Sequence, residues 1–211
     1  MLHFQTITRE THLLLKAIMH DSELVAFNLV GGTALALYLG HRSSIDLDLF
    51  TKDAFDVQRL QDYLIDKYNF KQDFIEKNTL KGSIEGIKVY CITHNYPFIN
   101  PVFIEDEIRL LSLEDIAAMK LSAITYNGTR LKDFIDIAYL STKMSLNNML
   151  DAYNKKFINA NKVTVLKALS YFEDINFKEH INLLKGNFEW NAIEKRLSAM
   201  IKNENKIFLT I

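Results

Sequence analysis

The stretch from Phe27 to Phe50, FNLVGGTALALYLGHRSSIDLDLF, constrains this chain most. Phe27 to Val30 is a short apolar run that predicts a buried strand. Gly31-Gly32-Thr33 opens a small-residue helix, Ala34 to Leu39, which Gly40 closes. After a polar turn, Ile45 to Phe50 alternates apolar and acidic residues. Strand side chains alternate faces, so Asp46 and Asp48 share one face and Leu47 and Leu49 the other. Two carboxylates on one strand face beside a glycine turn repel each other. A divalent cation between them relieves that repulsion.

The rest of the chain must build a core around this unit. The chain has 211 residues, 48% of them apolar, with 7 glycines and 2 prolines. That is an ordered, helix-rich composition with enough length for one large domain or two small ones. The formal net charge of −1 does not indicate a strongly basic nucleic-acid binder. With Cys91 as the single cysteine and six scattered histidines, an intrachain disulfide and a structural zinc site are not expected. His3, Thr6, Arg9, Glu10 and His12 interrupt the opening residues, and no apolar run approaches the roughly 18 residues of a membrane span. The expectation is a cytoplasmic protein with no membrane partner.

Residues 5 to 20 carry a helical stripe of Ile7, Leu13, Leu14, Ala17 and Ile18. Asp53 is a candidate cap for a helix over 54–67 with Phe55, Leu60, Leu64 and Ile65 inward. Between Phe70 and Thr93 the texture becomes strand-like, with Gly82 and Glu85-Gly86 as turn signals for an antiparallel hairpin. Pro97 and Asn100-Pro101 mark loops around a short strand at Val102 to Ile104. From Ser112-Leu113-Glu114-Asp115, near to a capping box, the chain reads as helices only. One runs to Asn127-Gly128. Thr129 is the candidate cap of the next, 130–141, and others start at Ser145 and span 161–172 and 189–203. The fold class expected is therefore α+β: a mixed sheet flanked by helices over 1–110, then a helical region, 111–211, packed on that core and completing a cleft.

The chemistry follows from residue type. Mg²⁺ takes oxygen ligands and is held by one or two carboxylates plus substrate phosphates, which suits Asp46 and Asp48. A Gly-Gly turn at a helix N-terminus lets backbone N–H groups approach a phosphate, and Thr33 adds a hydroxyl. Lys120 lies about 12 Å along its helix between apolar Met119 and Ala123. A lysine on such a face is snorkelling or paired. Asp133 and Asp136 follow on the next helix, so either a structural salt bridge or a functional Lys120–Asp pair satisfies the spacing. His41 reads as a phosphate contact or a surface turn residue, His94 as structurally satisfied, Cys91 as core, and Trp190 with Phe188 as an anchor of the last helix. Lys155, Lys156, Lys162 and Lys167 form a modest basic face.

The run VGGTALALYLGHRSSIDLDLF resembles the signature of the nucleotidyltransferase superfamily that includes polymerase beta. More narrowly, with IRLLSLEDIAAMKLSAITYNGTRLKDFIDIAYL downstream, the chain is similar to the AbiEii-type nucleotidyltransferase toxins of bacterial toxin–antitoxin systems. The resemblance spans Leu29 to Leu140 and implies a nucleotidyltransferase-like fold. It implies that Gly31, Gly32 and Thr33 contact the triphosphate and that Asp46 and Asp48 hold catalytic Mg²⁺. Arg42 is then a residue steadying a phosphate or the strand, and Lys120 a reach to the nucleotide phosphates. Lys132, Asp133 and Asp136 match the later motif, with Asp136 orienting Lys120 or acting in catalysis.

One position departs from that pattern. Related enzymes carry a third carboxylate on the strand next to the Asp-x-Asp strand; here that strand reads IKVYCIT, and Tyr90 stands in the place of the acid. Glu76, Glu85 and Asp136 are the candidate substitutes. The expected function is Mg²⁺-dependent transfer of a nucleotidyl group from a nucleoside triphosphate to a hydroxyl of RNA (transfer RNA) or protein, in an abortive-infection toxin with a cognate antitoxin. The alternatives are a non-catalytic nucleotide- or partner-binding protein on the same fold, and a phosphotransferase moving the terminal phosphate.

Overall fold

The computed structural model describes residues 1–158, 160–186 and 188–211. A seven-stranded mixed sheet runs through the N-terminal half, in the order β3-β4-β5-β2-β1-β7-β6. Its centre is the unit that opened the sequence reading. Strand β1 (Asn28–Val30) leads directly into helix α2 (Gly31–Leu39), and β2 (Leu47–Thr51) returns antiparallel to β1. Alternation holds as expected: Leu47 and Leu49 are wholly buried, while Asp48 and Phe50 lie half-buried on the other face. The strand begins at Leu47, so Ile45 is an exposed turn residue and Asp46 sits just before the strand.

On one side of β2, strand β5 (Ile87–Thr93) runs parallel to it and continues the sheet through β4 (Thr79–Ile84) to β3 (Lys71–Glu76). Glu85 and Gly86, both at positive φ, close the β4–β5 hairpin. Gly82 is not a turn. It lies inside β4, where a β-carbon would come within 2.2 Å of the Lys71 carbonyl oxygen and 2.4 Å of the Phe70 ring. On the other side, β7 (Ile108–Leu110) runs parallel to β1 and pairs with β6 (Phe103–Glu105). The sequence reading anticipated a strand near β6 and missed β7.

Helices α1 (Arg9–His20) and α3 (Val57–Tyr68) contact β7 and the β3–β4 pair, respectively. In α1 the buried set is Leu14, Leu15, Ile18 and Met19, and Leu13 faces solvent. Asp56, not Asp53, caps α3 by accepting from the Arg59 N–H at 3.0 Å, so the helix starts later and Ile65 turns outward. The second half is helical as expected: α4 (Leu113–Tyr126), α5 (Leu131–Leu140), α6 (Leu146–Lys156), α7 (Lys162–Ala168) and α8 (Trp190–Lys202). Ser112 caps α4. Thr129 does not cap α5. The N-cap is Arg130, without a side-chain bond, and the Lys132 N–H instead finds the Glu179 carboxylate at 3.4 Å. Trp190 packs edge-on against Phe134, Phe172 and Phe177 and anchors α8, with Phe188 partly exposed. One cluster of buried side chains runs from Leu2 to Met200 and joins the sheet half to the helical half. No helix among the described residues is long and apolar enough to cross a membrane.

Candidate active site

The acidic strand and the glycine corner meet in contact. Gly31 opens α2 at φ +70°, and a β-carbon there would lie 2.2 Å from Asp48 Oδ2. A β-carbon on Gly32 would lie 2.5 Å from Arg42 Nη2. Both glycines are therefore required by close approach, the first of a carboxylate and the second of a guanidinium. Thr33 is buried, and its hydroxyl donates to the Asp46 carbonyl at 2.5 Å, with Ser44 Oγ at 2.9 Å. The Thr33 side chain thus pins the backbone of the first aspartate to the first turn of α2.

Below this corner lies a buried charge network. Asp136, wholly buried, accepts from Arg42 Nε at 2.7 Å and Arg42 Nη2 at 2.9 Å. Lys120 Nζ lies 2.7 Å from Asp136 Oδ2, the oxygen that also accepts from Arg42 Nη2, and 2.6 Å from Asp133 Oδ1. His41 Nε2 adds a fourth contact at 2.8 Å. Burial raises a carboxyl's pKa, but Arg42, Lys120 and His41 together hold Asp136 well below the usual carboxylate range. Burial pushes His41 down, despite the Asp136 partner, and its ring is neither a surface residue nor a phosphate contact. Asp48 differs: burial is the largest influence and drives its carboxyl up, Lys120 opposes, and neighbouring Asp46 adds to the rise.

Two clefts meet at Asp48. One, about 420 Å³, has an apolar and aromatic wall that includes Phe50, His94, Tyr96, Met119 and Phe157, with Gly31, Gly32, Lys120 and Asp133 on its floor. The other, about 510 Å³, is polar and lined by Asp46, Lys88, Tyr90, Lys132 and the segment from Glu179 to Asn182. Gly32, Asp48 and Arg130 line both. Of the residues singled out in the sequence, Gly31, Gly32, Thr33, Arg42, Asp46, Asp48, Lys120, Lys132 and Asp133 border one cleft or the other, while Asp136 lies beneath. Lys132 is paired with Glu179 at 3.0 Å.

Several bordering residues were not singled out. Arg130 is largely exposed and lines both clefts; its one ion pair among the described residues is a long 3.8 Å contact to Asp133. It follows the Gly128 turn within the quoted stretch GTRLKDFID, so its position was the available signal. Lys88 was visible only through strand alternation with Tyr90. His94, expected to be satisfied, has a buried Nε2 with no hydrogen-bond partner among the described residues, and burial lowers it to about 4. Cys91 is core, as expected, with its thiol raised to about 12 by burial.

The third-acid position resolves clearly. Tyr90 is the register partner of Asp48 on β5. Glu76 ends β3, three strands from β2, and Glu85 sits in the β4–β5 turn; neither lines a cleft. Asp136 has both oxygens engaged. None of the three replaces the missing carboxylate. Among the described residues no group of three or more His, Cys, Asp or Glu side chains is placed to share an ion. Asp46 and Asp48 remain a pair of hard oxygen donors, a set that fits Mg²⁺ completed by water and phosphate oxygens.

The chain is similar to known proteins in sequence and in fold. The uncharacterised protein aq_aa25 of Aquifex aeolicus is 36% identical over 185 residues, covering 83% of this chain and 86% of its own. The crystal structure of JHP933 from Helicobacter pylori matches with a TM-score of 0.56 at 15% identity, over 93% of this chain and 92% of that one. An antigenic nucleotidyltransferase-like protein from Paracoccidioides brasiliensis matches with a TM-score of 0.54 at 14% identity, over 95% and 97%. These two share the fold. The family model described as nucleotidyl transferase AbiEii toxin, type IV toxin–antitoxin system, matches residues 13–102 and 93–204, which takes in both the glycine–aspartate corner and the lysine–aspartate helices. The chain belongs to that family of nucleotidyltransferase toxins.

Proposed function

We propose that the protein transfers a nucleotidyl group from a Mg²⁺-bound nucleoside triphosphate to a hydroxyl of an RNA or protein acceptor. The observation that carries this reading is the contact between Asp48 and Gly31: the acid that would hold the metal touches the helix N-terminus that would hold the phosphates. Helix α2 has no side-chain cap, and the first N–H groups of a helix lack intrahelical partners, so its terminus favours an anion. When bound, Mg²⁺ supplies charge to the phosphate oxygens and the leaving group.

The chain's own residues supply the rest. The acceptor oxygen forms a bond to the α-phosphorus as the bond to the β-phosphate oxygen breaks, and pyrophosphate leaves. Positioning and fixed charge do most of this work. Arg130, at the junction of both clefts, faces the developing charge. Lys120, held by Asp133 and Asp136, sets the potential at Asp48 without leaving its partners. Arg42 acts from below, through the glycine corner and Asp136. The carboxylates bordering the clefts are Asp46, Asp48, Asp133 and Glu179. The last two are tied to lysines, and Asp46 and Asp48 are engaged as the metal's oxygen donors, so the hydroxyl proton passes to solvent water. The aromatic cleft suits the nucleoside, and the polar cleft, lined by Lys88 and Lys132, suits the phosphates.

The test is incubation with each α-labelled triphosphate, Mg²⁺ and total cellular RNA or protein. One acceptor class should become labelled, and Asp48→Asn should abolish the label. Label that survives Asp48→Asn overturns the proposal. Tyr90 in the place of an acid favours one other reading, nucleotide binding without transfer. Calorimetry showing triphosphate binding beside a blank turnover assay would select it. A γ-label transferred instead of an α-label would select phosphotransfer.

A further inference from the structure

Strand register places an unusual row of side chains beside the catalytic acids. Asp48 on β2 pairs with Tyr90 on β5, Tyr90 with Lys81 on β4, and Lys81 with Phe74 on β3. Register partners share a sheet face. Lys81 Nζ lies 5.5 Å from the Tyr90 ring centroid and 5.6 Å from that of Phe74, so the ammonium is held between two rings. Lys88, two residues before Tyr90, shares its face and lines the polar cleft with Asp46 and Asp48. The ion pairs around the clefts are Arg42–Asp136, Lys120–Asp133, Lys120–Asp136, Arg130–Asp133 and Lys132–Glu179. Among the described residues, Lys81 and Lys88 belong to none.

From this row we infer that the centre takes one protein-held divalent cation, and that Lys88 on the cleft wall, with Lys81 one strand farther out, supplies fixed positive charge on the side where a second cation would otherwise sit. The inference rests on the nucleotidyl-transfer reading. A second ion on the β5 side needs a carboxylate there, because Mg²⁺ is held by carboxylate and substrate oxygens. Tyr90 offers a phenol, and its neighbours across the sheet and along the strand are ammonium groups. Like charge repels a cation from that position. The same two charges attract an anion, so the polar cleft receives the phosphate-rich side of the reaction without a second metal.

The stoichiometry of Mn²⁺ decides this. The full chain would be dialysed with Mn²⁺ and a non-hydrolysable α,β-methylene triphosphate, and bound Mn²⁺ counted by electron paramagnetic resonance. One ion per chain–nucleotide complex is expected in the wild type and in Tyr90→Phe. Two are expected in Tyr90→Asp, with spin coupling between them. Two ions in the wild type overturn the inference and leave nucleotidyl transfer standing. A complex without any Mn²⁺–nucleotide overturns the underlying reading as well. Loss of the ion in Tyr90→Phe also overturns the inference, since the phenol would then be a ligand. Lys88→Met should weaken analogue binding about tenfold, the size of one charge-assisted contact, with the ion count still at one. Unchanged affinity in Lys88→Met and Lys81→Met overturns the part assigned to the lysines.

Discussion

Gly31 cannot accept a β-carbon for two separate reasons, and they predict different things. At φ +70° a β-carbon costs about 1–2 kcal/mol in backbone strain alone. The contact with Asp48 Oδ2 then displaces the carboxylate itself. Gly31→Ala should therefore lower stability modestly and remove transfer almost entirely, which urea unfolding and a labelled-triphosphate assay check side by side. Asp136 is the opposite case. It touches no open cleft, yet Asp136→Ala leaves Arg42 buried without its carboxylate and Lys120 with Asp133 alone, a loss of about 3–5 kcal/mol. The pH dependence has a definite sign. Because Asp136 is held well below the ordinary carboxylate value, its contribution is fully present above about pH 4 and disappears as pH falls toward its folded value. Asp136→Asn should flatten the acid limb of the stability–pH curve, measured by urea midpoints from pH 7 downward. At this scale Asp46, Asp48 and Lys120 were legible because their residue types clash with their apolar settings. His41 was not, since its partner is 95 positions away and no local pattern announces it.

The loop from His94 to Pro101 forms part of the aromatic wall, and a buried charge on a distant helix holds it there. Asp115, in the first turn of α4, accepts from the Ile99 N–H at 3.0 Å and from Ser112 Oγ at 2.6 Å. Lys156, wholly buried at the end of α6, donates to Asp115 at 2.8 Å and to the Pro97 carbonyl at 3.0 Å. It is the charge that the sequence reading had placed on a solvated basic face. The loop it fixes carries Tyr96, whose ring centroid lies 4.8 Å from that of His94, tilted, and 4.8 Å from that of Phe157, edge-on. Lys156→Met should leave Asp115 unpaired and cost about 3–5 kcal/mol. In the folded fraction it should raise KM for the triphosphate more than it lowers kcat, because the loop shapes the nucleoside side and not the acids. Equal losses in both would place the loop in the transition state instead. Elements were legible where period and caps agreed, as in α4 and the β4–β5 hairpin. They were misplaced where two candidates stood close together, as with Asp53 and Asp56. Strand β7 is three residues long with Arg109 at its centre, too short for alternation to register.

The segment from Asn176 to Lys185 ties the helical half of the molecule to the sheet half, and it does so across the polar cleft. Its Asn176 N–H donates to the Thr129 carbonyl at 2.8 Å, and Ser43 donates to the Asn182 carbonyl at 2.9 Å. Leu184 donates to the His41 carbonyl at 2.8 Å, and Lys185 Nζ to the Leu39 carbonyl at 2.5 Å. These contacts, together with a hydrophobic cluster spanning both halves, should give a single unfolding transition, with circular dichroism and tryptophan-fluorescence midpoints in urea coinciding. None of this was readable from sequence, since the segment has no regular period and its partners in the sheet half, Leu39, His41 and Ser43, lie more than a hundred positions back. It also carries Glu179, which neutralises Lys132 beside the acids while capping α5. If Lys132 serves the polyphosphate, Glu179 competes with it. Glu179→Gln keeps an oxygen for the Lys132 N–H and removes the charge. The pair is partly exposed, so stability should change by less than about 1 kcal/mol. Triphosphate affinity, read by calorimetry, should rise about 3–10-fold at low salt and less at high salt, as screening weakens the freed charge. An affinity that stays flat in Glu179→Gln and does not fall in Lys132→Met would take Lys132 out of the nucleotide site.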